Sequence, residues 1–182
     1  MTVGVHSPDT RNYLLGKGVI LFKPSGEDAF YHVGNVPTLT ITPTVDVLEH
    51  FSSMDTESVK DDTVIRSKSG TVVMTLEEFT ARNIAMLMLG TVDEDEYGQI
   101  SVDLFASTSF TGALRFYATN AKGPRWFLDL PKVTFNPSGG FSPISNEYAN
   151  MEVTGSWEAL DGAFGIAYLR PAANTPSFRR TC

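Results

Sequence analysis

Glu49 and His50 are adjacent, and a carboxylate beside an imidazole is the pair that general acid–base catalysis would use. Two polar neighbours in a loop account for them as well, and no nucleophile accompanies them. No Ser is flanked by glycines as Gly-x-Ser-x-Gly, the strained elbow that presents a serine to a substrate. His6, His32 and His50 lie in unrelated contexts, no two have the spacing of a zinc site, and the terminal Cys182 adds no fourth ligand. The run Asp93-Glu94-Asp95-Glu96-Tyr97-Gly98-Gln99 opens like a calcium loop, with Asp93, Asp95 and Gly98 in place. Its twelfth position is Leu104, where a bidentate Glu is required, and strand-like sequence follows; a solvated turn after a helix is the plainer reading. Gly16-Lys17-Gly18 and Ser138-Gly139-Gly140 are turns that do not open into a helix, so neither cradles a phosphate. Asn136 precedes Pro137, which rules out a glycosylation sequon. Tyr97, Tyr117 and Trp126 could stack sugars or bases, although aromatics at strand spacing are usually core. The sequence gives no catalytic, metal or cofactor site, and a non-enzymatic protein is expected.

The elements that carry these residues are mostly strands. Residues 38–47 alternate strictly: every odd position is apolar or Pro, and every even one is Thr or Asp, the period of a strand with one wet face. Residues 48–62 follow as an expected long loop, acidic but carrying Leu48, Phe51, Met54 and Val59. Loops of such length inside compact domains are usually functional or disordered. A strand at 71–79 places Val72, Met74 and Leu76 on one face and is the expected hairpin partner of 38–47. An earlier strand at 17–23 is apolar on both faces and is expected to be covered on both. Residues 80–90 form the one helix predicted, with Thr80 as N-cap, Gly90 as the C′ stop and an Ile84, Leu87, Met88 stripe toward the sheet. Further strands are expected at 99–105, 114–118, 126–135, 148–159 and 163–169. In the third of these the apolar phase flips at Pro131, the mark of a bulge or bend. Many short strands with one helix predict a mainly β fold, a sandwich or barrel with a flanking helix.

The chain has 182 residues, enough for one domain that buries roughly 70% of its unfolded surface. Residues 1–13 read as an extended arm and 170–182 as an exposed tail. No apolar run approaches the roughly 20 residues that cross a bilayer, no basic start or apolar core of a signal peptide opens the chain, and one Cys closes no internal disulfide. These features point to a cytoplasmic protein without membrane contact. The net charge of −7 argues against a nucleic-acid grip, which needs Lys and Arg against phosphates. A surface that lets DNA slide past would instead carry hydroxyls and carboxylates.

Asn12-Tyr13-Leu14-Leu15-Gly16-Lys17-Gly18, Leu21-Phe22-Lys23-Pro24, Gly34-Asn35-Val36-Pro37 and Leu48-Glu49-His50-Phe51-Ser52-Ser53 follow in an order and spacing that resembles the major tail tube protein of long-tailed, siphovirus-like bacteriophages. The specific segments cover the first third of the chain. The resemblance implies a virion protein, assembled in the host cytoplasm, that self-associates as hexameric rings stacked into a helical tube. Hairpins from neighbouring subunits would close an inner barrel, which removes exposed edges. It also implies a tape measure protein, a tail terminator and distal tail proteins as partners, with DNA in transit but not specifically bound.

On this footing Tyr13, Leu48, Glu49, His50, Phe51, Met54, Asp55, Asp61 and Asp62 are the expected contacts between subunits or rings, with 49–62 as the connecting loop. Thr40, Thr42, Thr44, Asp46, Glu152, Thr154, Ser156 and Glu158 are the expected lumen lining, or else an ordinary solvent face. A ligand- or carbohydrate-binding β-sandwich module is the alternative function, and a tube protein of a pyocin or secretion system would share the fold.

Overall fold

The structure, a computed structural model, describes residues 12–54, 56–119, 122–144 and 146–170. Ten strands and one helix follow along these residues: β1 (Gly18–Pro24), β2 (Tyr31–His32), β3 (Thr38–Ser52), β4 (Val59–Leu76), α1 (Ala81–Met88), β5 (Thr91–Glu94), β6 (Ile100–Asp103), β7 (Phe110–Ala118), β8 (Arg125–Asn136), β9 (Met151–Trp157) and β10 (Ile166–Arg170). The fold is mainly β, as expected. Eight strands form one antiparallel sheet in the order β2-β1-β7-β8-β9-β4-β3, with β10 added to β8, while β5 and β6 pair as a separate hairpin.

The sheet bends where the apolar phase flips. Along β8 the buried residues are Leu130, then Val133 and Phe135, and opposite them the β7 register jumps between Gly112 and Leu114. Residues 125–129 of β8 pair with β10, and 133–136 pair with β9, so the strand changes neighbours across Pro131. Proline has no N–H for the ladder, which suits it to that corner. The curl brings Leu39 and Ile41 of β3 across a groove of about 540 Å³ from Phe116, Trp126 and Leu128 of β7 and β8. Inside lie Ile20, Phe22, Leu114, Leu130, Val133, Phe135, Val72, Met74, Leu76, Met151 and Val153, with Met86 and Leu87 of α1.

Thr80 caps α1 as expected, its side chain accepting from the Asn83 amide. The helix ends differently from the expectation. Leu89, not Gly90, takes the left-handed conformation at φ 48°. Gly90 is required for closeness instead, since a Cβ there would stand 2.8 Å from the Asp103 carbonyl oxygen of β6. The buried stripe is Asn83, Ala85, Met86 and Leu87, with Ile84 and Met88 partly buried at its margin. Asn83 is tolerated inside because its Nδ2 donates to the Val33 and Glu78 carbonyls, both at 2.8 Å.

Other expectations are corrected. β1 is fully buried on one face only, through Ile20 and Phe22; Val19 and Leu21 face outward and are half-buried. β6 stops at Asp103, short of the expected 99–105, and β10 is exposed along its whole length although its apolar residues alternate. The acidic run is not simply a turn: Asp93 and Glu94 belong to β5, and only 95–98 turns, pinned by Asp95 Oδ1 accepting from the Tyr97 and Gln99 amides. Most importantly, residues 48–62 are not one long loop. β3 continues to Ser52 and β4 begins at Val59, leaving a six-residue connection. Two bulges, at Arg66 and Asp61 on β4, absorb the register shifts opposite Asp46/Val47 and His50/Phe51, so a broken alternation is still strand.

Candidate assembly surface

On β4, β9 pairs only along Gly70–Leu76, and among the described residues β3 has no neighbour on its outer side. Residues 59–69 of β4 and the facing half of β3 therefore leave the body as a two-stranded ribbon, roughly 36 Å long at about 3.3 Å per residue. Among the described residues both edges of the ribbon are unpaired. Along it Val47 faces Ile65 on one side and Leu48 faces Val64 on the other, and all four are exposed. Val45, Phe51 and Val59 are exposed too, and Met54 at the turn is 94% exposed. An isolated two-stranded ribbon is marginal in water, and open edges beside apolar side chains are a template for another chain.

Three charge pairs cross between the ribbon's strands. Lys60 Nζ reaches Glu49 at 2.6 Å, His50 Nδ1 lies 2.6 Å from Asp61, and Arg66 is 3.6 Å from Asp46. Glu49 and His50 thus have different partners on opposite faces, and both stand in solvent. Such exposed pairs fix register more than stability, each contributing about 0–1 kcal/mol.

Of the expected contact residues, Leu48, Glu49, His50, Phe51, Asp61 and Asp62 come together on this ribbon, and Met54 lies at its tip. Asp55 falls outside the described residues, as do 1–11 of the expected arm and 171–182 of the tail. Tyr13 sits elsewhere, against the connection between β7 and β8, where Lys122 Nζ lies 6.0 Å from its ring. The sequence reading missed Val64 and Ile65; the β-branched run Thr63-Val64-Ile65 was the signal for a continuing strand.

The expected lining residues share one face of the sheet. Thr42 pairs with Thr71, Thr71 with Ser156, Ser156 with Thr134 and Thr134 with Thr111, a hydroxyl row across five strands. Beside it Thr40, Val73, Thr154 and Asn136 form a second row, and Thr38, Thr75 and Glu152 a third. The Thr38 and Thr75 hydroxyls are 2.7 Å apart, and those of Thr111 and Thr134 3.1 Å. Thr44 and Asp46, opposite Ser69 and Ser67, carry the face onto the ribbon. Glu158 lies at its margin, bridged to Lys132 at 2.7 Å. This is a wet, hydroxyl-covered wall with few charges. Among the described residues no three His, Cys, Asp or Glu could hold a metal ion. The aromatics depart from the core expectation: Tyr97 is 87% exposed, and Tyr117 is partly exposed against Phe127, while Trp126 lines the groove.

The family described as protein of unknown function UCP028589 matches residues 13–114, a span that runs from ahead of β1 into β7 and includes the entire ribbon. The chain belongs to this family. No curated protein matches the sequence. Among solved structures it is similar to a chain of the tail of an empty GTA particle, computed with helical refinement in C6 symmetry, at 12% identity. That likeness covers 86% of this chain and 96% of the other, with a TM-score of 0.44. So distant a likeness decides nothing about function.

Proposed function

We propose that the chain is a structural subunit of a phage-like tail tube, a single tube domain that associates with copies of itself. The observation that carries this is the β3–β4 ribbon: two edges without a partner among the described residues and exposed apolar side chains on both faces, a state that a neighbouring chain would relieve. Ribbons joined edge to edge around an axis would close a barrel, and the resemblance to tail tube proteins implies six of them per ring. The hydroxyl wall from Thr111 to Thr42, continued along the ribbon by Thr44 and Asp46, would then face the lumen. Hydroxyls solvate a passing duplex without the counterion release that drives binding by Lys and Arg. The ribbon tip around Phe51 and Met54 would reach an adjacent ring. Tape measure, terminator and distal tail proteins would be the further partners, and the virion tail the location.

Purified full-length protein, concentrated and imaged by negative-stain microscopy, should show rings or tubes. Sedimentation as a strict monomer at every concentration, including with a tail initiator complex present, would sink the proposal.

A further inference from the structure

Arg125 and Arg170 are direct cross-strand partners at the start of β8 and the end of β10. Like charges placed opposite each other destabilise a sheet unless something answers them. Among the described residues neither guanidinium has an ion pair, although the protein as a whole is acidic. On the same face stands an aromatic ladder, with Tyr117 and Phe127 ring centres 4.7 Å apart and Phe127 and Tyr168 5.7 Å apart. Arginines and aromatics together border a surface hollow of about 800 Å³. Tyr, Trp and Arg in such hollows are the residues that dominate protein interfaces.

The same molecule carries the complement. The β5–β6 hairpin holds Asp93, Glu94, Asp95, Glu96 and Asp103 with no Lys or Arg between 91 and 103, and none of these acids has an ion pair among the described residues. In the middle of that charge, at the turn, Tyr97 is 87% exposed. The two features also join β7 at its opposite termini along the chain. The hairpin leads through 104–109 into Phe110, the start of β7, whereas Arg125 stands just past its finish at Ala118, about 30 Å on.

We propose that the acidic β5–β6 turn of one copy docks in the Arg125–Arg170 hollow of the next, with Tyr97 against the aromatic ladder. Because donor and acceptor surfaces differ, the contact is heterologous and does not close on a pair; it repeats from copy to copy and gives the assembly a direction. This rests on the tube reading for the ribbon and adds a second, electrostatic contact to it.

The test uses two full-length variants, Arg125→Glu with Arg170→Glu, and Asp93→Lys with Glu94→Lys and Glu96→Lys. Assembly is followed by sedimentation and microscopy at about 0.1 M salt, where the Debye length is roughly 10 Å. Each variant alone should need at least tenfold more protein to assemble, while an equal mixture of the two should regain wild-type growth, because reversed faces match each other. Tyr97→Ala should weaken growth without changing its salt dependence. Arg125→Gln with Arg170→Gln, which adds no new charge to the fold, should show the same loss more mildly. Either reversal variant assembling like wild type would overturn this contact and leave the tube reading intact. Wild-type tubes together with a mixture that fails to recover, or an arginine variant impaired only in retaining duplex DNA, would likewise reject it. Wild-type protein that never assembles would reject both.

Discussion

Asn83 and Tyr31 are the two polar side chains whose burial has most to do with the fold of the first half of the chain. Asn83 ties α1 to the segment after β2 through the Val33 carbonyl and to the segment after β4 through the Glu78 carbonyl. Asn83→Ala would leave both carbonyls short of a donor and should cost about 2–3 kcal/mol in a denaturant titration. Tyr31 is packed edge-on to Phe22 and beneath the Arg82 guanidinium, and its hydroxyl has no partner among the described residues. Burial pushes its pKa upward, since the phenolate would lose its water. Tyr31→Phe removes an unsatisfied group without changing shape, so its melting temperature should equal or exceed that of the parent. The helix cap was legible in the sequence because Thr80 acts through its own neighbours. The Gly90 contact was not, because its cause is the β6 carbonyl thirteen residues away.

At the scale of elements, the β3–β4 ribbon would, on the proposed reading, separate folding from assembly. Its outer half contributes little to the buried core, so Leu48→Ser with Val64→Ser should leave the monomer's melting temperature within a few degrees of wild type. The same pair should suppress ring or tube formation, read by sedimentation at matched concentration. Wild-type assembly in that variant would show that the apolar faces of the ribbon are not contact surfaces. The alternation has a burial cause at its start, where Leu39 and Ile41 lie against the groove while the Thr face of β3 is wet. From Thr42 to Phe51 both faces are exposed, so no burial constraint imposes a period of two; the alternation runs on to Val47 without that cause, breaks at Leu48, and the continuing strand read as loop. The β8 bend was foreseeable from the phase flip at Pro131, but the change of neighbour from β10 to β9 was not, since pairing depends on strands far apart in sequence.

For the whole molecule, two kinds of contact are available and they answer salt differently. On the proposed reading, ribbon edges would pair through backbone hydrogen bonds and apolar side chains, which screening barely touches. The arginine hollow and the acidic turn would attract through charge and weaken as the Debye length falls from about 10 Å at 0.1 M toward 3 Å at 1 M. Raising salt should therefore shorten tubes toward short stacks or single rings before it yields monomers, a sequence that microscopy across a salt series would reveal. Simultaneous dissolution to monomers would mean that one contact type serves both directions.

Taken alone, the sequence determined what local periodicity and composition can determine: a mainly β chain with one capped helix and a hydroxyl-faced strand. Those features depend on residues a few positions apart. Only the tertiary structure decided that the Thr and Ser residues of five strands form one wall, that 48–62 is a projecting ribbon, and that Arg125 meets Arg170. Each of these is a pairing between distant segments, fixed by register and by the curl of the sheet around its core, which no local pattern encodes.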